Sequence, residues 1–193
     1  MKLKERQLEI IRAAGEILTE SGVAGLTTKK IAARMGFVES ALYRHFKGKE
    51  EIIVSMLLYL ANDMEQRLNA ALHTSSDASE QLKQLFNSQF EFFNDNPQFL
   101  VAVFSDGLLE ESTLVHSAIL KIMAAKRKVL LQVIKLGQKQ KLFTKKLSAE
   151  ELAHIIMGSF RLHMLQWRMS EMAFDVKGKG NKMLTGILSL IKV

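Results

Sequence analysis

The sequence predicts an all-α protein: a three-helix head containing a helix-turn-helix, followed by a longer helical body. Three observations lead there. The 193 residues include 1 proline and 11 glycines, few helix breakers for that length. Apolar residues recur three and four positions apart along most of the chain, and no segment alternates apolar and polar with the period of a strand. Between residues 27 and 46 the chain reads TTKKIAARMGFVESALYRHF, two short helical stretches around a glycine, the pattern of a helix-turn-helix.

The head is expected over residues 1–48 and the body over 49–193. The first helix runs over residues 3–21, with Leu8, Ile11, Ala14 and Leu18 at helical spacing and Ile10 and Ile17 widening the stripe. Ser21 and Gly22 end it. Thr28 caps a second helix whose inward residues are Ile31, Ala32 and Met35. Gly36 supplies a left-handed turn free of a Cβ clash. The third helix runs from Glu39 to His45, with Leu42 and Phe46 facing inward.

Glu50 and Glu51 suit the positive end of a fourth helix, which continues to about Leu72 and buries Ile53, Met56, Leu57, Leu60, Met64 and Leu68. Residues 73–79 form a polar connector. The next helix spans Ser79 to Asn94 through Leu82, Leu85, Phe86, Phe90 and Phe93, and Pro97 closes it. A short buried helix from Phe99 to Phe104 ends around Gly107. A long helix over 112–140 turns Val115, Ile119, Ile122, Val129, Val133 and Leu136 to one side. Ser148 and Glu151 have capping-box spacing and open a helix to about Met172. A last helix runs from Lys182 to Lys192. The final two helices are apolar on more than one side and so need two partners. Phe160, His163, Met164, Trp167, Leu184 and Leu188 are assigned to a second copy of the chain, since twofold dimers are the commonest oligomers.

Composition bounds the function. Hydrophobic residues make up 48%, enough for a sizeable core, and the absence of cysteine excludes disulfides and thiolate metal sites. The start, MKLKERQLEI, has no apolar signal core, and the apolar runs fall far short of a bilayer span; a cytoplasmic protein without membrane contact is expected. The formal net charge of +7 favours an anionic partner. Charge is uneven: nine acids against two bases over residues 62–111, then nine bases and no acid over 112–149. The second block reads as solvated faces attracted to neighbouring helices, or as a further surface for nucleic acid or membrane.

Six basic residues, Lys29, Lys30, Arg34, Arg44, Lys47 and Lys49, fall between positions 27 and 49, and only Glu39 opposes them. Such cations neutralise phosphates and release counterions, which supplies most non-specific affinity for DNA. The second helix of the unit can enter the major groove. The plainer alternative is a solvated basic face on a helical hairpin.

Thr28-Lys29-Lys30-Ile31-Ala32, Gly36, Ala41-Leu42-Tyr43-Arg44-His45-Phe46 and Lys49-Glu50-Glu51-Ile52 together resemble the signature of the TetR family of bacterial transcriptional regulators. The resemblance covers the first quarter to third of the chain. Gln166-Trp167-Arg168-Met169-Ser170 and Phe174-Asp175 are more distantly similar. It implies a homodimer on a palindromic double-stranded operator, associated with the nucleoid when bound, and a helical ligand-binding and dimerisation domain that answers an unknown small-molecule effector. It places Thr28, Tyr43, His45 and Lys49 on the DNA backbone, with Lys29 beside them, and Glu39, Ser40 and Arg44 near the bases. Two residues depart from the pattern. Val38 stands where a capping serine or threonine is usual, and Gly48 where a capping serine is common.

Within the body, Phe86, Phe90, Phe104, Met123 and Met157 are candidates to line an apolar ligand pocket, with His116 and Arg161 as the polar groups that orient a ligand; ordinary core packing is the competing role. The histidines lack the i, i+4 spacing of a helix-borne metal pair, so no metal or cofactor is expected. No nucleophile–base spacing or phosphate loop points to an enzyme. Control by a protein partner instead of a small molecule is the second reading.

Overall fold

The computed structural model describes residues 3–73, 75–104, 106–108 and 110–193. Among them every extended element of structure is helical: α1 (Glu5–Gly25), α2 (Thr28–Arg34), α3 (Glu39–Leu42), α4 (Lys49–Leu72), α5 (Ala78–Asp95), a 3₁₀ turn (Pro97–Phe99) leading into α6 (Leu100–Phe104), a second 3₁₀ turn (Asp106–Leu108), α7 (Thr113–Lys139), α8 (Ala149–Met169) and α9 (Val176–Ile191). The fold is all-α, as the periodicity predicts. One antiparallel bridge joins Phe143 to Lys192.

The chain forms two compact units. The first contains residues 1–62 and 96–122, the second 63–95 and 123–193. The division differs from a single boundary at residue 48, because α6 and the start of α7 cluster with the head.

In the first unit α1 buries Ile10, Ile11, Ala14, Ile17 and Leu18 of the stripe read from the sequence, while Leu8, in its first turn, is only half-buried. Its helical geometry breaks at Gly22, where φ is 64°. Ile31 and Ala32 of α2, Leu42 of α3 and Phe46 just beyond it close the core, with Ile52, Ile53, Met56 and Leu57 from α4. Burying each large aliphatic side chain contributes about 1.5–3 kcal/mol, more than such short helices can supply from local hydrogen bonding. Phe104 is buried in this unit.

In the second unit the aromatic rings of α5 and α8 form one cluster. Phe160 stacks on Phe90 at 5.6 Å between centroids and meets Phe86 edge-on at 5.4 Å. His163 meets Phe90 edge-on at 5.4 Å. Gly180 of α9 lets Phe90 approach its backbone; a Cβ there would lie 2.4 Å from the ring. Ser148 caps α8 with Glu151 in the reciprocal arrangement, and those bonds hold the Glu151 carboxyl below its ordinary range. α9 begins six residues before the expected Lys182, because the Asp175 carboxylate accepts from the Gly178 amide at 2.9 Å.

Candidate nucleic-acid interface and regulatory crevice

The turn of the helix-turn-helix is built from backbone bonds. The Phe37 amide donates to the Ala32 carbonyl at 2.8 Å and the Gly36 amide to Ala33 at 3.1 Å. Gly36 has φ of 68°. This is the paired closure of a helix end by a left-handed residue, which glycine adopts without strain. The cap of α2 is Thr27, one residue earlier than expected: its hydroxyl accepts from the Lys30 amide at 3.2 Å. Thr28 is thereby the first helical residue and its hydroxyl is released for another partner.

That partner is Glu39. The Thr28 hydroxyl donates to Glu39 Oε1 at 2.6 Å, and the Tyr43 hydroxyl reaches the same oxygen at 3.4 Å. Val38 precedes α3 with no side-chain cap bond. α3 itself is only four residues long. The chain continues through Tyr43, Arg44 and His45 in turns, with the His45 amide donating to Leu42 and the Phe46 amide to Leu42. The expected helix to His45 is therefore shorter, consistent with its missing cap.

The six cations divide into two groups. Arg34 binds Glu16 at 3.0 Å and Glu20 at 2.6 Å on α1. The hydrogen bond from Arg34 holds the Glu20 carboxyl below its ordinary range and raises the guanidinium in turn. Lys49 binds Glu111 at 2.9 Å. Lys29, Lys30, Arg44 and Lys47 are exposed and have no carboxylate partner among the described residues. Ser40 is exposed and Tyr43 half-exposed, while His45 is half-buried, its carbonyl accepting from Gln7 Nε2 at 3.1 Å. Thr28, Lys29, Glu39, Ser40, Tyr43 and Arg44 thus lie within one helix-turn-helix. Lys49 lies next to it, engaged by an acid.

The ligand candidates do not come together. Phe86 and Phe90 share the aromatic cluster, but Phe104 belongs to the other unit. His116, Met123 and Arg161 are exposed and Met157 is half-buried. The long helices are apolar on several sides, so their rotation is ambiguous in the sequence, and Arg161 lies one position from buried Phe160.

A crevice does exist in the second unit, between α4, α5 and α7. Leu68, Leu85, Phe86, Val129 and Leu130 line it, with two polar residues, Gln89 and Lys126. It is open to solvent on one side and its free volume is about 10 Å³, roughly the minimum that holds one water. Gln89 is buried and its Nε2 has no hydrogen-bond partner among the described residues. Lys126 is half-buried, with Nζ 3.2 Å above the centre of the Phe160 ring and 5.8 Å from that of Phe86. Burial pushes its ammonium well below the ordinary lysine range. Neither residue is among the ligand candidates expected from the sequence. The signal is present there: Lys126 interrupts the apolar series Ile119, Ile122, Val129, Val133, and Gln89 interrupts Leu82, Phe86, Phe93, each at a position where the spacing calls for an apolar residue.

The six residues assigned to a second copy are all buried inside the chain. His163 Nε2 donates to the Val176 carbonyl at 3.0 Å and Trp167 Nε1 to the Phe174 carbonyl at 3.0 Å. They secure the connection from α8 to α9. The apolar residues that α8 leaves exposed are Ile155, Leu162, Leu165 and Met169.

A helix-turn-helix with uncompensated cations, on an all-helical body, defines the class of DNA-binding transcriptional regulators. The family described as bacterial regulatory proteins, tetR family, matches residues 10–56, and the family of the YsiA-like protein C-terminal region matches residues 60–190. The chain belongs to the TetR family of transcriptional regulators. Nucleoid occlusion factor SlmA of Shewanella halifaxensis is 27% identical over 130 residues, 67% of this chain and 66% of that protein. The chain thus matches just under two thirds of that relative's length. The fatty acid degradation regulator FadR of Bacillus halodurans has the same fold, with a TM-score of 0.88, 20% identity and 97% of each chain covered. FadR of Bacillus subtilis, solved in complex with stearoyl-CoA, superposes with a TM-score of 0.83 at 20% identity, covering 94% of this chain and 97% of that one. Among the described residues no helix is long and apolar enough to cross a membrane.

Proposed function

We propose that the chain is a homodimeric repressor of transcription that binds a palindromic DNA operator and is released from it by a small-molecule effector. It acts in the cytoplasm, associated with the nucleoid when bound. The observation that carries the DNA half is the set of four exposed cations in and next to one helix-turn-helix, Lys29, Lys30, Arg44 and Lys47, which have no carboxylate partner among the described residues. The effector half is supported by the two polar side chains on the crevice of the second unit and by the stearoyl-CoA complex of a protein of the same fold.

The mechanism follows from geometry. Paired recognition elements must lie about 34–36 Å apart, or a multiple of the helical turn, to enter successive major grooves. A ligand that binds better to a conformer with another spacing lowers DNA affinity, and only by its difference in affinity for the two conformers. α4 and α7 each contribute residues to both units and are the elements through which such a change passes. The exposed apolar face of α8, Ile155, Leu162, Leu165 and Met169, is the surface we assign to the partner copy.

The small volume of the crevice favours a second reading, control by a protein partner. Selection of bound duplexes from a random pool, followed by a small-molecule screen for release, tests both. A selected palindrome with two half-sites and a releasing compound supports the proposal. Enrichment of no sequence ends the DNA half, and a selected operator that no compound releases favours the second reading.

A further inference from the structure

We propose that the surface formed by the end of α7, the connector to α8 and the end of α9 docks on the anionic face of a phospholipid bilayer through Lys139, Lys141, Lys145, Lys146 and Lys192. It lies within the second unit and draws on no residue of the DNA-facing stretch or of the crevice. The contact is with the membrane surface, since no described helix is long and apolar enough to cross a bilayer.

The backbone brings these lysines together from distant parts of the chain. The Thr144 amide donates to the Ile191 carbonyl at 2.7 Å and the Val193 amide to Leu142 at 3.2 Å, which sets Lys192 opposite Phe143. Phe143 is fully buried with its ring against Gly137, where a Cβ would lie 2.1 Å away. Gln138 Nε2 donates to the carbonyls of Thr144 and Leu147 at 2.9 and 3.0 Å. The connector is thereby fixed, and all five lysines are exposed.

Local forces account for only part of this charge. None of the five has a carboxylate partner among the described residues, and the two acids that open α8 are engaged, Glu150 with Arg127 and Glu151 with Ser148. Lys139 and Lys192 suit the negative ends of α7 and α9. Lys145 and Lys146 instead stand before the positive end of α8, which disfavours cations. Lys141 has φ of 61° in the turn that ends α7, a conformation that glycine adopts without strain. The chain keeps a cation at three positions where another residue would be more stable, and such persistence points to use.

The composition of the surface selects its partner. All five cations are lysines. Acidic peptides and nucleic acids are commonly gripped by the planar fork of arginine, whereas a diffuse layer of lipid phosphates answers to point charge. Phe143 is the one aromatic residue of the connector and it is buried, so no ring is offered for a base to stack on. Leu190, on the last turn of α9, is 82% exposed, and Leu147 is exposed beside Lys146. Leucines gain nothing on a ridge of DNA phosphates, but they enter the acyl boundary of a bilayer when neighbouring lysines sit on its headgroups. Binding of this kind is reversible and salt-sensitive, with each lysine near the surface contributing about fivefold.

The test is co-sedimentation of the full chain with vesicles of phosphatidylglycerol and phosphatidylcholine in equal parts, against vesicles of phosphatidylcholine alone. Wild type is expected to bind the anionic vesicles at low salt, to leave them at high salt and to ignore the zwitterionic ones. Lys141→Glu, Lys145→Glu and Lys146→Glu together should lose at least thirtyfold on anionic vesicles and leave duplex affinity unchanged. The same reversal of charge at Lys29, Lys30 and Lys47 should lose less than threefold on vesicles. Leu190→Ser should weaken vesicle binding about threefold and leave heparin binding unchanged. The comparison of vesicles in wild type needs no variant, so misfolding of the triple variant leaves the test intact. Absence of binding to anionic vesicles at low salt overturns the proposal, as does equal binding to zwitterionic ones. Equal losses from the two triple variants overturn it too, because net charge alone then explains the attraction. If Leu190→Ser is silent and the connector variant weakens duplex binding as much as vesicle binding, the surface serves nucleic acid and the lipid assignment falls.

Discussion

Thr28 at the start of α2 and Glu39 at the start of α3 are joined by a hydrogen bond of 2.6 Å across the helix-turn-helix. The Tyr43 hydroxyl reaches the same carboxylate oxygen. The two hydroxyls assigned to DNA phosphates are thus held, without DNA, by the one acid of the head's DNA-facing stretch. Under the proposed function, phosphate takes over from Glu39 when a duplex binds.

Replacing that acid should therefore tighten non-specific binding. A unit charge about 4 Å from a phosphate in water is worth about 1 kcal/mol, so Glu39→Gln should gain about three- to tenfold on random duplex at low salt. Fluorescence anisotropy against duplexes of unrelated sequence measures it. Uniformly weaker binding would show that Glu39 positions Thr28 and Tyr43 productively instead of withholding them.

Lys29 and Arg44 are exposed cations without a carboxylate partner among the described residues, and they should behave differently from each other. Lys29→Ala should weaken binding to every sequence and flatten the salt dependence by about 0.9 in log–log slope, one phosphate contact. Arg44→Ala should relax preference at one base position, at a cost of about 1–3 kcal/mol for the preferred base. Lys49→Ala should cost less than Lys29→Ala, because Lys49 must first leave Glu111. Titrations at several salt concentrations rank the three.

The α8 face proposed for the partner copy can be tested through assembly. Leu162→Asp combined with Met169→Asp places two charges on its exposed apolar face. Sedimentation should show a monomer, with circular dichroism unchanged and operator affinity down by at least a hundredfold. A variant that still dimerises would place the contact elsewhere.

Gly180→Ala should destabilise the second unit by about 1–3 kcal/mol, the usual penalty for overpacking. The added carbon would lie 2.4 Å from the Phe90 ring, itself wedged against Phe160 and His163. Urea unfolding measures it, and no loss of stability would mean that the ring can shift.

Lys126→Met should raise stability at neutral pH, by an amount on the order of 1 kcal/mol, since relieving a half-buried ammonium outweighs the forfeited attraction between it and the Phe160 ring. The pH dependence has a definite sign. The lysine is depressed in the folded state, so above its folded pKa the unfolded chain binds the extra proton and stability rises with pH. The advantage of methionine is full below the depressed folded pKa and shrinks as pH climbs toward the unfolded value. Thermal melts at neutral and alkaline pH follow it.

Much of the fold is legible in the sequence because local rules and tertiary packing agree. Gly36 demands a left-handed turn, Ser148 and Glu151 a cap, and the stripe on α1 a buried face, and each is present. Three kinds of feature are not legible. The start of α9 is hidden by Gly178 and Gly180, poor helix formers, though Asp175 is a capping residue three positions before Gly178. The outward faces of α7 and α8 are hidden because apolar residues lie all round them. Phe160 and His163 face inward while Leu162 and Leu165 face out, and periodicity alone does not say which side meets solvent. Gln89 and Lys126 escape a search for pockets by aromatic content, because aromatic residues mostly build cores and the crevice is marked instead by polar exceptions within an apolar series.

If the second unit takes an effector as proposed, those exceptions set heat tolerance against inducibility. Leucine or methionine at positions 89 and 126 would knit the helices together more firmly than the residues found there. Directed evolution for survival at raised temperature, with no demand for response, should drift at these two places early, and the hardier descendants should sit on their operators deaf to any signal.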